Sequence, residues 1–165
     1  MLRMLGSMTT PQTDATISVY RTGVPRRFEV RSGTATLTTL PARTARRGGP
    51  VELEGQWFHL ERTGLAPTYR LSSPDGHPVA LAARTGLRGW DIEVSGGRLL
   101  RLNRTSLGSD EVLLDDAGRE VGEFRRITHG IEADLPGFDR PTQVFVLVVA
   151  LAARQRRRRA VLLGR

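Results

Sequence analysis

The chain has 165 residues, enough for one domain with a hydrophobic core, and it contains no cysteine. All 25 of its basic residues are arginines, so the sequence excludes disulfides, thiolate nucleophiles, cysteine metal sites, a P-loop lysine and a Schiff-base lysine. The formal net charge of +8 favours anionic partners. Much of that excess lies in one cluster near the C-terminus: Arg154, Arg156, Arg157, Arg158 and Arg159.

Residues 1–14 are mostly small and polar and show no periodicity, so we expect a disordered lead-in there. The segment lacks the long apolar stretch of a secretory signal, and we therefore expect a cytoplasmic protein that can lie peripherally at a membrane. Residues 15–160 are predicted to form a single β-barrel domain, followed by a short tail over residues 161–165.

From Thr16 onward, apolar residues alternate with polar or charged ones in about twelve short stretches. Such alternation predicts antiparallel strands with one buried and one solvated face. Residues 43–50 break the pattern and are predicted to form an Arg/Gly/Pro loop. The apolar positions assigned to these strands are Ile17, Val19, Phe28, Val30, Ala35, Leu37, Val51, Leu53, Phe58, Leu60, Tyr69, Leu71, Val79, Leu81, Ala83, Trp90, Ile92, Val94, Leu100, Leu102, Val112, Leu114, Val121, Phe124, Ile131, Ala133 and Leu135.

The last predicted element is a helix over about residues 140–159. Asp139 can cap it, Pro141 suits its first turn, and ten consecutive apolar residues run from Val144 to Ala153. This run is too short to span a bilayer, yet a helix that is apolar on every face must be surrounded. The sequence therefore predicts a mainly β fold: a closed antiparallel barrel of about twelve strands around a C-terminal hydrophobic helix.

Two hairpins carry a family resemblance, Leu71-Ser72-Ser73-Pro74-Asp75-Gly76-His77-Pro78-Val79 and Leu113-Leu114-Asp115-Asp116-Ala117-Gly118-Arg119-Glu120-Val121. Together with the element order over about residues 16–159, which is about twelve one-sided strands in consecutive hairpins followed by an apolar helix, they make the chain resemble the tubby C-terminal-like superfamily, which includes tubby, LURP-one-related and phospholipid scramblase proteins. The resemblance implies a closed barrel around a hydrophobic helix. In the tubby branch it also implies phosphoinositide binding through basic side chains, although no residue pattern here matches that site.

No motif for catalysis stands out. His59, His77 and His129 lack metal-ligand spacing, and neither a nucleophile elbow nor a phosphate-cradling glycine loop is present. The sequence therefore predicts no catalytic residue, no metal site and no cofactor, and enzyme activity is the weaker hypothesis.

The arginine cluster at residues 154 and 156–159 has three interpretations. It can be a solvated helix end, where cations interact favourably with the helix dipole. It can bind an anionic phospholipid surface or a membrane-proximal protein, or it can bind nucleic acid without sequence specificity.

The leading hypothesis is a non-enzymatic binding or scaffold module that docks on anionic phospholipid. Two alternatives remain: a small-ligand-binding or catalytic barrel with a pocket at one mouth, and a protein-interaction subunit of a larger assembly. The oligomeric state is not predicted.

Overall fold

The structure, a computed structural model, describes residues 14–65, 67–86, 89–105 and 110–164, except for the side chains of residues 156–162. The lead-in predicted over residues 1–14 therefore lies outside the described residues apart from Asp14. The side chains of Arg156, Arg157, Arg158 and Arg159 lie outside them as well.

The described part of the chain forms twelve strands and two helices. In chain order they are β1 (Thr16–Thr22), β2 (Arg27–Ser32), β3 (Ala35–Pro41), α1 (Ala42–Arg47), β4 (Gly48–Leu53), β5 (Gln56–Thr63), β6 (Thr68–Ser72), β7 (Pro78–Thr85), β8 (Gly89–Val94), β9 (Arg98–Arg104), β10 (Glu111–Asp115), β11 (Glu120–Ile127), β12 (Gly130–Asp134) and α2 (Arg140–Leu163).

The strands form one sheet in the order β3-β2-β1-β12-β11-β10-β9-β8-β7-β6-β5-β4. Every neighbouring pair is antiparallel, from the β1–β12 pair to the β4–β5 hairpin. The two edge strands, β3 and β4, approach each other, and the short helix α1 connects them and packs against both. The sheet is therefore a nearly closed barrel, and the predicted mainly β architecture of about twelve antiparallel strands is confirmed.

Alternation places one face of each strand in the core. In β8, Trp90, Ile92 and Val94 are buried while Glu93 between them is exposed. Period two puts such residues on the same face of the sheet, where the apolar set drives burial at about 25 cal/mol per Å² of apolar surface.

Four strands differ from the prediction. In β7 the inward residues are Ala80 and Ala82, whereas Leu81 is 39% exposed. The backbone of α2 comes closer to β7 than to the other strands, and the small alanine side chains leave room for the helix. In β10 the inward residues are Glu111 and Leu113 rather than Val112 and Leu114.

Similarly, β3 buries Thr38 and Leu40, while Leu37 is half-buried. A bulge in its pairing with β2, between Val30 and Arg31, shifts the register along the strand. In β11 the inward neighbour of Phe124 is Gly122, not Val121. At Gly122 an added Cβ would meet a Leu135 methyl group at 2.7 Å.

The prediction of a loop over residues 43–50 is wrong. Residues 42–47 form the helix α1, and β4 starts at Gly48. Thr44 and Ala45 are buried, so the turn of helix covers the seam between the two edge strands. Gly48 is required there because an added Cβ would lie 2.5 Å from the Leu60 carbonyl oxygen.

The start of α2 agrees with the predicted cap. The Asp139 carboxylate accepts a hydrogen bond from the Thr142 N–H at 3.0 Å. The buried Gln143 amide donates to the carbonyl oxygens of Asp14 and Leu135, and Arg140 donates to the Ser32 hydroxyl. These contacts fix the first turn of the helix beside the end of β2 and the segment after β12.

From residue 143 to residue 152, every α2 residue is at most 7% exposed, so all faces of this part of the helix are covered. The following residues, Arg154 and Gln155, lie beside the starts of β10 and β12, at the end of the barrel opposite the first turn. Among the helices described, none combines the length and the apolar character that a membrane span requires.

Candidate anion-binding end of the barrel

Antiparallel strands alternate in direction, so every second connection lies at the same end of the barrel. One end carries the connections after β1, β3, β5, β7, β9 and β11, and residues 152–155 of α2 reach it. We call it the exit end. The other end, which we call the entry end, carries the hairpin turns at residues 33–34, 54–55, 73–77, 95–97 and 116–119 and the first turn of α2.

A first cavity of about 230 Å³ opens at the exit end beside the seam. Arg46 and Arg47 of α1 and Arg62 at the end of β5 line it. Its inner wall contains Tyr69 and Trp90, whose rings pack at a centroid distance of 5.7 Å. The cavity thus has a cationic rim over an aromatic wall.

A second cavity of about 250 Å³ also opens at the exit end. Arg21 from β1, Arg126 from β11 and Arg154 from α2 line it, together with His129. Gln155 of α2 lines both cavities, so the two openings lie next to the last described turns of the helix.

Six arginines therefore surround the place where α2 reaches the exit end. In the described residues, Arg154 alone among these six has a carboxylate within 4 Å; Arg21, Arg46, Arg47, Arg62 and Arg126 have none. These five are exposed. Their uncompensated charges give this end a positive potential that attracts anions.

Arg154 occupies a different environment from the other five. Its guanidinium donates to the Glu111 carboxylate through Nε at 3.0 Å and through Nη2 at 2.7 Å, and Asp110 lies 3.7 Å away. The Glu111 side chain is 3% exposed and that of Arg154 is 15% exposed. Arg154, a member of the predicted arginine cluster, thus lines the second cavity and also ties α2 to β10 through a largely buried ion pair.

Sequence analysis placed residues 46 and 47 only in the predicted loop over residues 43–50, and it assigned none of Arg21, Arg46, Arg47, Arg62 and Arg126 to a site. These residues are far apart in the chain, and the barrel topology brings them together. One signal was available: Arg21, Arg62 and Arg126 each lie within the last two residues of an odd-numbered strand, and in a meander such strands all end at the same side.

Elsewhere on the surface, four arginines are paired with carboxylates in the described residues: Arg31, Arg101, Arg119 and Arg125. Glu29 accepts hydrogen bonds from Arg31 and Thr36, and these contacts lower its pKa. Arg125 donates to Glu132 and Glu123, and the bond to Glu132 is the main cause of its raised pKa. The positive charge is thus compensated locally at Arg31 and Arg125, whereas the exposed Arg70 and Arg98 have no carboxylate within 4 Å in the described residues.

The entry end carries carboxylates in its turns. The pKa of Asp75 is lowered mainly by the Ser73 hydroxyl, which donates to it. The pKa of Asp115 is lowered mainly by the Arg119 backbone N–H, which donates to it at 2.8 Å. The entry end therefore carries stabilised carboxylates together with the guanidinium groups of Arg98 and Arg119.

The histidines lie on the surface and apart from one another. His59 lies 3.7 Å from Glu61 on the outer wall of β5, and His77 lies 3.1 Å from Asp75 in a turn. Within the described ranges, no group of three or more His, Asp or Glu side chains is arranged to hold a metal ion.

Comparison of the chain with protein-family models, with curated proteins and with solved structures finds no match to any of them.

Proposed function

We propose that the protein is a non-enzymatic binding or scaffold module that docks on anionic phospholipid surfaces through its exit end. The observation that carries this proposal is the set of six arginines around the two cavities, five of them without a carboxylate partner in the described residues. The proposal takes α2 as the hydrophobic core of the barrel, which the burial of residues 143–152 supports.

The distribution of charge favours one orientation. Five unpaired arginines lie at the exit end, whereas the entry end carries Asp75, Asp115 and Asp116 beside Arg98 and Arg119. The exit end is therefore the more positive of the two, and a negatively charged surface attracts it more strongly.

The arginine cluster at residues 156–159 adds to this end. The backbone of α2 continues helically to Leu163, beyond the residues that line the cavities, so these four positions follow the exit end directly. A basic residue near an anionic leaflet contributes about 1 kcal/mol, so several together give reversible docking that weakens as salt screens the charges.

Vesicle flotation tests the proposal. We expect the protein to float with vesicles that contain phosphatidylserine. With vesicles of phosphatidylcholine alone, it should remain unbound in the bottom fraction. Replacing Arg156, Arg157, Arg158 and Arg159 with Gln should weaken the binding strongly, because about 1 kcal/mol is lost for each charge near the surface. Equal flotation with both lipids, or full binding by the Gln variant, would reject the proposal.

A second candidate function rests on the same cavities. Each is lined by three arginines and is large enough for a small anionic group, which favours the alternative of a small-ligand pocket at the mouth. A specific ligand raises thermal stability by mass action. Stabilisation by inorganic phosphate or polyphosphate, without any vesicle binding, would favour this function over lipid docking.

Membership of the tubby C-terminal-like superfamily is likewise a proposal. The twelve-stranded antiparallel barrel and the C-terminal helix support it. The role of subunit in a larger assembly stays a prediction that co-purification would test.

A further inference from the structure

Two aliphatic side chains at the exit end stand fully in solvent. Val24, in the connection between β1 and β2, is 97% exposed, and Leu65, in the connection between β5 and β6, is 102% exposed. The large hydrophobic residues exposed on the outer wall are covered to a greater extent: Trp57 is 57%, Leu99 55% and Leu81 39% exposed. Val24 and Leu65 therefore protrude, whereas the wall residues lie against the sheet.

The connections that carry Val24 and Leu65, which we call the two aliphatic tips, lie on either side of the barrel seam. The strand β2 neighbours the edge strand β3, and β5 neighbours the other edge strand β4, while α1 lies between the two edges. Arg46 and Arg47 of α1 are thus flanked by the two aliphatic tips. In the sequence, an arginine that lines a cavity precedes each of these side chains by three residues, Arg21 before Val24 and Arg62 before Leu65.

The hairpin turns of the entry end differ in composition. Residues 33–34, 54–55, 73–77, 95–97 and 116–119 contain no Val, Leu, Ile, Met or aromatic residue. Among the described connections, the exposed aliphatic side chains Val24 and Leu65 therefore lie at the same end as the unpaired arginines.

We propose that Val24 and Leu65 insert into the interface of an anionic bilayer while the surrounding arginines bind its headgroups. This inference rests on the proposed lipid docking and adds its hydrophobic component. Two separate protruding side chains surrounded by arginines are compatible with a fluid lipid surface, because each side chain can insert into the lipid independently of the other. A protein–protein interface has a closely packed apolar core, which two separate side chains do not form.

The first test compares two double variants in equilibrium binding to phosphatidylserine-containing vesicles. V24S/L65S should weaken binding by roughly tenfold for each side chain, because each loses the transfer of an aliphatic group out of water. The control L81S/L99S, which changes exposed leucines on the barrel wall, should bind like the wild type. Both variants should unfold at the wild-type temperature within a few degrees, since the changed residues are on the surface.

The second test uses the absence of cysteine from the chain. A polarity-sensitive fluorophore on V24C or L65C should shift to the blue on vesicle addition and be quenched by brominated acyl chains, whereas the same label on L99C should stay in water. If the wild type binds the vesicles but the labels remain in water, or V24S/L65S binds normally, the insertion is refuted and electrostatic docking stands. If the wild type does not bind, both proposals fail. A blue shift without vesicles that grows with protein concentration would identify a second copy as the occupant and refute insertion.

Discussion

At the scale of single residues, the ion pair between Glu111 and Arg154 decides how the end of α2 is held. Both side chains leave water, and the guanidinium binds the carboxylate through two nitrogens at 2.7 and 3.0 Å. Taking two charges out of water is costly, so the pair is retained only with good geometry. Removing the Glu111 carboxylate leaves the largely buried Arg154 guanidinium with Asp110 alone, at 3.7 Å, among the carboxylates of the described residues.

Glu111→Gln should therefore lower the free energy of unfolding by about 3 kcal/mol, as expected when a buried pair loses one partner. Chemical denaturation measures this loss. The control is Asp91→Asn, which breaks the pair with Arg101 on the outer wall, where both side chains are about half exposed; it should cost under about 1 kcal/mol. Equal losses in the two variants would contradict a structural role for the buried pair.

At the scale of elements, two hairpins share one turn geometry. In the β6–β7 hairpin the Ser73 N–H donates to the His77 carbonyl oxygen, and in the β10–β11 hairpin the Asp115 N–H donates to that of Arg119, both at 2.8 Å. Each hairpin also has a register shift just before its first turn position, between Leu71 and Ser72 or between Leu113 and Leu114. A short side chain at the first turn position, Ser73 or Asp115, accepts a backbone N–H in both.

The Asp115 turn predicts a pH dependence. The pKa of Asp115 is lowered in the folded state, chiefly by the Arg119 N–H, so its stabilising effect is present above the unfolded value of about 3.9 and is lost as the pH falls through the folded value. Asp115→Asn should therefore be less stable than the wild type at neutral pH, with a gap that narrows below about pH 4.

Urea unfolding across this pH range measures the gap, and Asp116→Asn, one position further along the turn, is the matched control. A gap for Asp115→Asn that is constant, or that widens in acid, would contradict the assignment.

The elements that sequence predicts correctly are those with strong local patterns. Trp90, Ile92 and Val94 define the inward face of β8, and Asp139 with Pro141 defines the start of α2. In β7 and β10, the prediction fails because a residue distant in the sequence determines which side chains of the strand face inward. Ala80 and Ala82 face inward because α2 approaches β7, and Glu111 faces inward because Arg154, on α2, binds it.

At the scale of the whole molecule, the candidate site could not be predicted because it arises from topology. Arg21, Arg62 and Arg126 belong to three different strands, and no local pattern relates them. They come to one end because the meander returns every second connection there, and Arg46 and Arg47 join them because α1 closes the seam. The arginine cluster after Ala153 was predictable from the sequence, and the helical backbone that carries it continues beyond the exit end.

The central claim is that binding depends on the arginines of the exit end and not on the overall positive charge. Two triple variants with equal net charge separate these causes: R46Q/R47Q/R62Q at the exit end, and R70Q/R101Q/R119Q away from it. All six residues are exposed, so both variants should fold.

The deciding measurement is the dissociation constant of each triple variant for phosphatidylserine-containing vesicles at one ionic strength. Loss of about 1 kcal/mol per arginine predicts binding roughly 100-fold weaker for the exit-end variant, with the other variant close to the wild type. Equal weakening of the two variants would mean that net charge alone drives binding and would contradict the account.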